Sequence, residues 1–160
     1  MRPTLAALAA ALTLGSVGAA SAQDRMADDV RAAASAIAPQ VIAWRRDLHQ
    51  NPELGFAETR TAAFVAERLR ALGMEVRTEV GKTGVVGVLR GGAGGSRVVA
   101  LRADMDALPV LEATGLPFAS TATGTYQGAT VPVAHACGHD AHIAMLLGAA
   151  EVLEIGRAHV

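Results

Sequence analysis

His135-Ala136-Cys137-Gly138-His139-Asp140-Ala141-His142 (HACGHDAH) holds three of the chain's five histidines, an aspartate and the single cysteine, and runs straight into the apolar segment Ile143 to Leu153. Thiolate, imidazole and carboxylate are the side chains that bind zinc-like cations. A loop entering a helix can aim several of them at one point. The Cys-x-His spacing therefore reads as part of a metal site at the start of a helix that is apolar almost all round and so buried. Alone, such a pair is only moderately specific, and the rest of the chain has to support it.

Upstream, Ala103-Asp104-Met105-Asp106-Ala107-Leu108-Pro109 places two carboxylates just after Arg97 to Arg102, a short β-branched run that reads as a strand. In open α/β sheets, ligands collect at the C-terminal ends of strands. Two further strands are expected at Met74 to Val80 and Val85 to Arg90, joined by glycine-rich turns that make neighbours antiparallel. Gly81-Lys82-Thr83 lacks the upstream glycine of a phosphate-binding loop, and the Gly91 to Gly95 cluster leads into a strand, so both are turns. Val110 to Val133, with Gly, Thr and Pro scattered through it, reads as an extended loop that could cover a site. Asp104 and Asp106 at a strand end, with Cys137 and His139 at a helix start, can converge at one sheet edge. For the two aspartates, turn capping is the competing reading.

Towards the N-terminus, Ile37, Val41, Trp44 and Leu48 fall at helical spacing between Asp24 and Asp47, giving one or two helices broken near Pro39. Pro52 ends the helical stretch by Asn51. Arg45 to Glu53 is dense in titratable groups and could equally be a solvated helix end. Glu58 to Leu72 forms the next helix, with Val65, Leu69 and Leu72 on one face and Gly73 as terminator.

The chain has 160 residues, is 51% hydrophobic and carries a formal net charge of −1. That allows one domain with a real core, and it excludes the basic surface that a nucleic-acid partner would require. Arg2, the apolar run Leu5 to Val17 and the small residues Ala20-Ser21-Ala22 resemble a secretory signal peptide, so residues 1–22 are set aside. The run is short for a bilayer crossing, which takes roughly 20 apolar residues, and no membrane association is expected after cleavage. A periplasmic or secreted location follows. In such an oxidising compartment the unpaired Cys137 is core, reactive thiol or ligand, and its neighbours Gly138, His139 and Asp140 favour the last.

RRDLHQNPELGFAET (Arg45 to Thr59), ALRADMDALPV (Ala100 to Val110) and HACGHDAH resemble, in this order, the aminoacylase/carboxypeptidase family of metal-dependent amidohydrolases, in the branch of hippurate hydrolases, N-acyl-amino-acid amidohydrolases and auxin-conjugate hydrolases. The resemblance implies an α/β fold: a three-layer, zinc-peptidase-like catalytic domain with a mixed central sheet, of which residues 23–154 would be the N-terminal part. It also implies two divalent metal ions, zinc or manganese, a small N-acyl amino acid or dipeptide-like substrate, and a homodimeric parent with a smaller inserted domain. Residue by residue, it makes Cys137 and His139 metal ligands and Asp106 the aspartate that supports catalysis. Asp104 stands where distant relatives place a ligating histidine. For His49, Glu53, His135, Asp140 and His142 it supplies no role, and His142 could be a plain helix residue.

The family's Glu-Glu pair, general base and ligand, has no counterpart here. Glu151 lies roughly 18 Å along a helix from His139 at 1.5 Å per residue, so Glu151 and Glu154 are expected to be surface charges. Residues 155–160 (IGRAHV) are what ATCGGAAGAGCACACGTC encodes, a string resembling a sequencing-library adapter. They are expected to be a non-native tail, and the chain, with only part of the metal shell and no general base, is expected to be an inactive fragment. Two other classes compete: a cysteine amidase using Cys137, and an exported binding module without catalysis.

Overall fold

The computed structural model describes residues 22–92 and 96–156. The signal-peptide residues, except Ala22, and tail residues 157–160 lie outside that range. Helix α1 runs from Ala22 to Gln50, α2 from Thr59 to Ala71 and α3 from His139 to Gly156. Strands β1 (Glu75–Val80) and β2 (Gly84–Val88) form one antiparallel hairpin, and β3 (Thr123–Tyr126) and β4 (Ala129–Pro132) another.

Helix α1 is continuous through Pro39, where a break was expected. A proline removes one helical hydrogen bond at a cost of about 3 kcal/mol. That cost falls at one point, while the C-terminal half is fixed by packing: Leu48 is fully buried in the core and Trp44 lies against it. The helix does stop before Pro52, and Asn51 closes it by donating from its side-chain amide to the Asp47 carbonyl at 2.8 Å. Helix α2 ends as its glycine foretells. Gly73 adopts φ 71, its N–H donates to Arg70 O and that of Met74 to Leu69 O, the paired bonds of a Schellman cap.

Leu48, Val65, Leu69, Ile143, Leu147 and Ala150 make the main core, contributed by α1, α2 and α3. Full burial of a leucine or isoleucine stabilises by about 1.5–3 kcal/mol. The β1–β2 hairpin lies on α2 at Gly87, where an added Cβ would come within 2.9 Å of Leu69 Cδ1. A second cluster, Leu54, Ala107 and Val133, ties the 104–108 segment to the β3–β4 hairpin. Single bridges join Leu54 to Ala107 in parallel and Leu108 to Ala134 in antiparallel sense.

Three further expectations need correction. Residues 97–102 form no strand, and Val98 and Val99 are 91% and 84% exposed. Their β-branched side chains favour extended backbone, but a strand is held by a non-local partner, and no described segment pairs with them. The central sheet is accordingly represented by two separate hairpins. Within the supposed loop Val110 to Val133 lies one of them, turned at Gln127 (φ 49) and Gly128 (φ 80), the two positive values of a type I′ turn. Finally, α3 begins at His139 and is not buried all round, since Met145, Leu153 and Ile155 are exposed.

Candidate metal centre

Two elements meet at the site. Gly138, at φ 83, turns the chain into α3, and its carbonyl accepts the N–H groups of Ala141 and His142. The first turn thereby presents His139 and His142, three residues apart and on one face. Opposite lies the 104–108 segment, whose register Glu53 fixes. Its backbone carbonyl accepts from Ala107 N at 2.7 Å. Its carboxylate takes three donors at the start of α2: Arg60 N at 3.0 Å, Thr61 N at 2.8 Å and Thr61 Oγ1 at 2.9 Å. One glutamate thus caps α2 from outside the helix and aligns the residue next to Asp106, a role the sequence motif did not disclose.

His139 Nδ1 lies 2.8 Å from the Asp106 carbonyl oxygen and 3.1 Å from Asp106 Oδ1. Both contacts place the ring proton on Nδ1 and leave Nε2 with its lone pair for a cation. Nε2 faces Asp104 Oδ2 at 4.0 Å, and the His142 ring lies 5.4 Å away, centroid to centroid. Asp104, His139 and His142 each offer a ligand atom within 4.8 Å of the others. Hydrogen bonds from Arg102, followed by its charge, hold the Asp104 carboxyl below the usual range, and His139 and His142 add to the effect. Asp104 is therefore an anion at neutral pH.

Of the residues singled out from sequence, Asp106 and His139 touch, Asp104 joins them, and His142 completes the group. Cys137 is exposed and stands outside the trio Asp104, His139 and His142. His142 was legible in principle, because an i, i+3 spacing from His139 on a helix puts both on one side. Glu112, which belongs to a buried cluster behind the site, carried no signal, lying in an irregular segment without a motif.

Behind the site is a buried polar cluster. His49, 5% exposed, places Nδ1 2.7 Å from Asp140 Oδ2 and Nε2 2.9 Å from Glu112 Oε1. Arg45 Nε reaches the same Asp140 oxygen at 2.8 Å. Burial raises the Glu112 pKa, but hydrogen bonds from the Thr114 hydroxyl, Ser120 N–H and His49 outweigh it and bring the group down to about 2. His135 is buried, with neither ring nitrogen hydrogen-bonded among the described residues. Burial lowers it to about 4 against the opposing pull of Asp140, so the imidazole is neutral at pH 7.

Residues 100–159 match the family described as peptidase family M20/M25/M40. Hippurate hydrolase of Campylobacter jejuni is 50% identical over 109 residues, covering 68% of this chain and 26% of that protein. An N-acyl-L-amino acid amidohydrolase of Geobacillus stearothermophilus is 46% identical over 125 residues, covering 78% and 31%. A crystal structure from Bacillus subtilis, a dinuclear metal-binding peptidase of the M20 family, superposes with a TM-score of 0.66 at 37% identity, covering 81% of this chain and 33% of that one. Over the quarter to third of these relatives' length that it spans, the chain is similar to members of peptidase family M20/M25/M40, whose model matches residues 100–159.

Proposed function

We propose that the protein is an exported, metal-dependent amidohydrolase that cleaves N-acyl amino acids or related dipeptide-like amides. The observation that carries this reading is His139, whose Nδ1 is held by Asp106 so that Nε2 is free between Asp104 and His142. An anionic carboxylate and two imidazoles form a donor set that suits a divalent cation. Cys137, two residues before His139, is the further ligand that the family resemblance implies; with thiolate and imidazole donors zinc is favoured, and manganese is the alternative. When bound, the metal lowers the pKa of water to about 7 and polarises the scissile carbonyl.

The chain's own residues do the positioning. Asp106 fixes the tautomer and plane of His139, and Glu53 holds the segment bearing Asp106 in register. The family resemblance implies a glutamate as general base, a role that none of the described residues around Asp106 and His139 is proposed to fill. The substrate class rests on relatives that act on hippurate and N-acyl-L-amino acids. Two metal ions, a homodimeric assembly and a periplasmic or secreted location complete the proposal.

The test uses full-length protein stripped of metal and then reloaded with zinc or manganese, assayed on hippurate and N-acetyl amino acids. Hydrolysis that needs the metal and is abolished by a chelator supports it. Activity that survives chelation but is lost to a thiol-alkylating agent would instead establish the cysteine amidase. That alternative has less support, because no histidine is hydrogen-bonded to Cys137 among the described residues.

A further inference from the structure

His49 sits on α1, outside the metal centre, yet both of its ring nitrogens are used. Nδ1 meets Asp140, which occupies the first turn of α3 beside His139, and Nε2 meets Glu112. The ring thus bridges the start of α3 and the segment that carries Glu112. Glu112 in turn accepts from the Thr114 hydroxyl and from Ser120 N at 2.6 Å, so it gathers the 112–120 segment into a closed loop. Phe118 from that loop packs edge-on against the His49 ring, with centroids 5.6 Å apart, and lies under the Arg45 and Arg46 guanidinium groups. Three parts of the chain therefore converge on one buried imidazole.

The geometry points to His49 as a positioning residue for the metal centre, acting through its Nδ1 contact with Asp140 to fix the start of α3 and with it the direction of His139 and His142. This rests on the metal-dependent reading above. The two contacts have separable consequences. The Asp140 branch leads along one peptide bond to His139, whereas the Glu112 branch leads away into the loop. Arg45 also binds Asp140, but from a partly solvated position and from one side only, so it supplies charge without fixing the depth of the helix end.

Substitutions of His49 can keep one branch at a time. The amide nitrogen of asparagine falls close to Nδ1 and can still donate to Asp140. That of glutamine falls close to Nε2 and can still donate to Glu112. Full-length protein carrying His49→Asn or His49→Gln is titrated with zinc against a chromophoric chelator, with a thermal melt recorded for each metal-free form. The expected result is that H49N keeps zinc affinity within about threefold of wild type, while H49Q loses about tenfold or more, the range typical of partners behind metal ligands. Asp140→Asn should reproduce the H49Q loss and Glu112→Gln should not, and this pair decides the matter if a His49 variant fails to fold. Equal affinities in H49N and H49Q, or in D140N and E112Q, overturn the proposal. Wild-type protein that takes up no zinc overturns the metal-dependent reading itself, a result distinct from either.

Discussion

Glu53 shows how one side chain can serve two elements. Its carboxylate takes two backbone N–H groups and a hydroxyl at the start of α2, and among the described residues no other side chain is seen to cap that helix end, Glu58 at the cap position making no such bond. Hydrogen bonds to a charged acceptor are worth about 1.5–3 kcal/mol, so Glu53→Ala should destabilise the folded protein by about that amount, read from a urea unfolding midpoint at unchanged slope. A loss under 0.5 kcal/mol, on the order expected of a neutral surface site, would refute the capping role. Glu112 sets a pH dependence of definite sign. Its folded pKa, about 2, lies below the ordinary 4.5, so its contribution is fully present above pH 4.5 and is lost as pH falls towards 2. Acid unfolding curves of Glu112→Gln should accordingly be flatter than wild type across that window, and unchanged slopes would contradict it. Neither role was legible beforehand. Glu53 acts on residues seven and eight positions away, and Glu112 meets His49 across 63 positions of sequence.

At the scale of elements, the α1–α3 contact is organised by Gly148. A Cβ built there would come within 2.8 Å of Val41 Cγ2, a methyl on a side chain with little rotamer freedom. Replacing a mid-helix glycine with alanine ordinarily gains about 1 kcal/mol, but here the helices would have to separate, and such overpacking costs about 1–3 kcal/mol. Gly148→Ala should therefore lose stability in wild type and gain it in a Val41→Ala background. Denaturation of the four proteins of the cycle measures the coupling, and additivity within 0.5 kcal/mol, about the level of independent sites, would rule the contact out. The elements that sequence revealed are those with local causes. Val65 and Leu69 mark the buried face of α2, Gly73 its Schellman end, and the glycines around Lys82 the first hairpin. Pro39 misled because tertiary packing overrode a local penalty. Val98 and Val99 misled because β-propensity says nothing about whether a partner strand is present. The convergence of Asp104 and Asp106 on the start of α3 was readable from motif order, and the expected helix start near His139 already put His142 on its face, but an exposed helix histidine is as readily a plain surface residue.

For the molecule as a whole, export and metal binding make separate demands. Cleavage after Ala22 would remove the proposed signal peptide and only the first residue of α1, so mass spectrometry of the protein from a periplasmic extract should find Gln23 at the N-terminus; an uncleaved chain there would contradict the export proposal. Metal binding ought to act on stability through mass action. The candidate donors Asp104, His139 and His142 come from two separate stretches, so the unfolded chain lacks the assembled site and a cation held by them would bind the folded state preferentially. At a free concentration of a hundred times the dissociation constant, such a ligand adds about 2.7 kcal/mol. Calorimetry of full-length protein should show a higher melting temperature with zinc or manganese than with a chelator, and the difference should reverse on re-addition of metal. His142 is exposed and forms none of the buried contacts of α3, so His142→Ala should leave the metal-free melting temperature nearly unchanged while shrinking the metal-induced rise. An undiminished rise in H142A would remove His142 from the donor set and leave Asp104 and His139, with Cys137, to hold the cation. A wild-type protein whose melting temperature ignores both metal and chelator would sink the metal centre altogether.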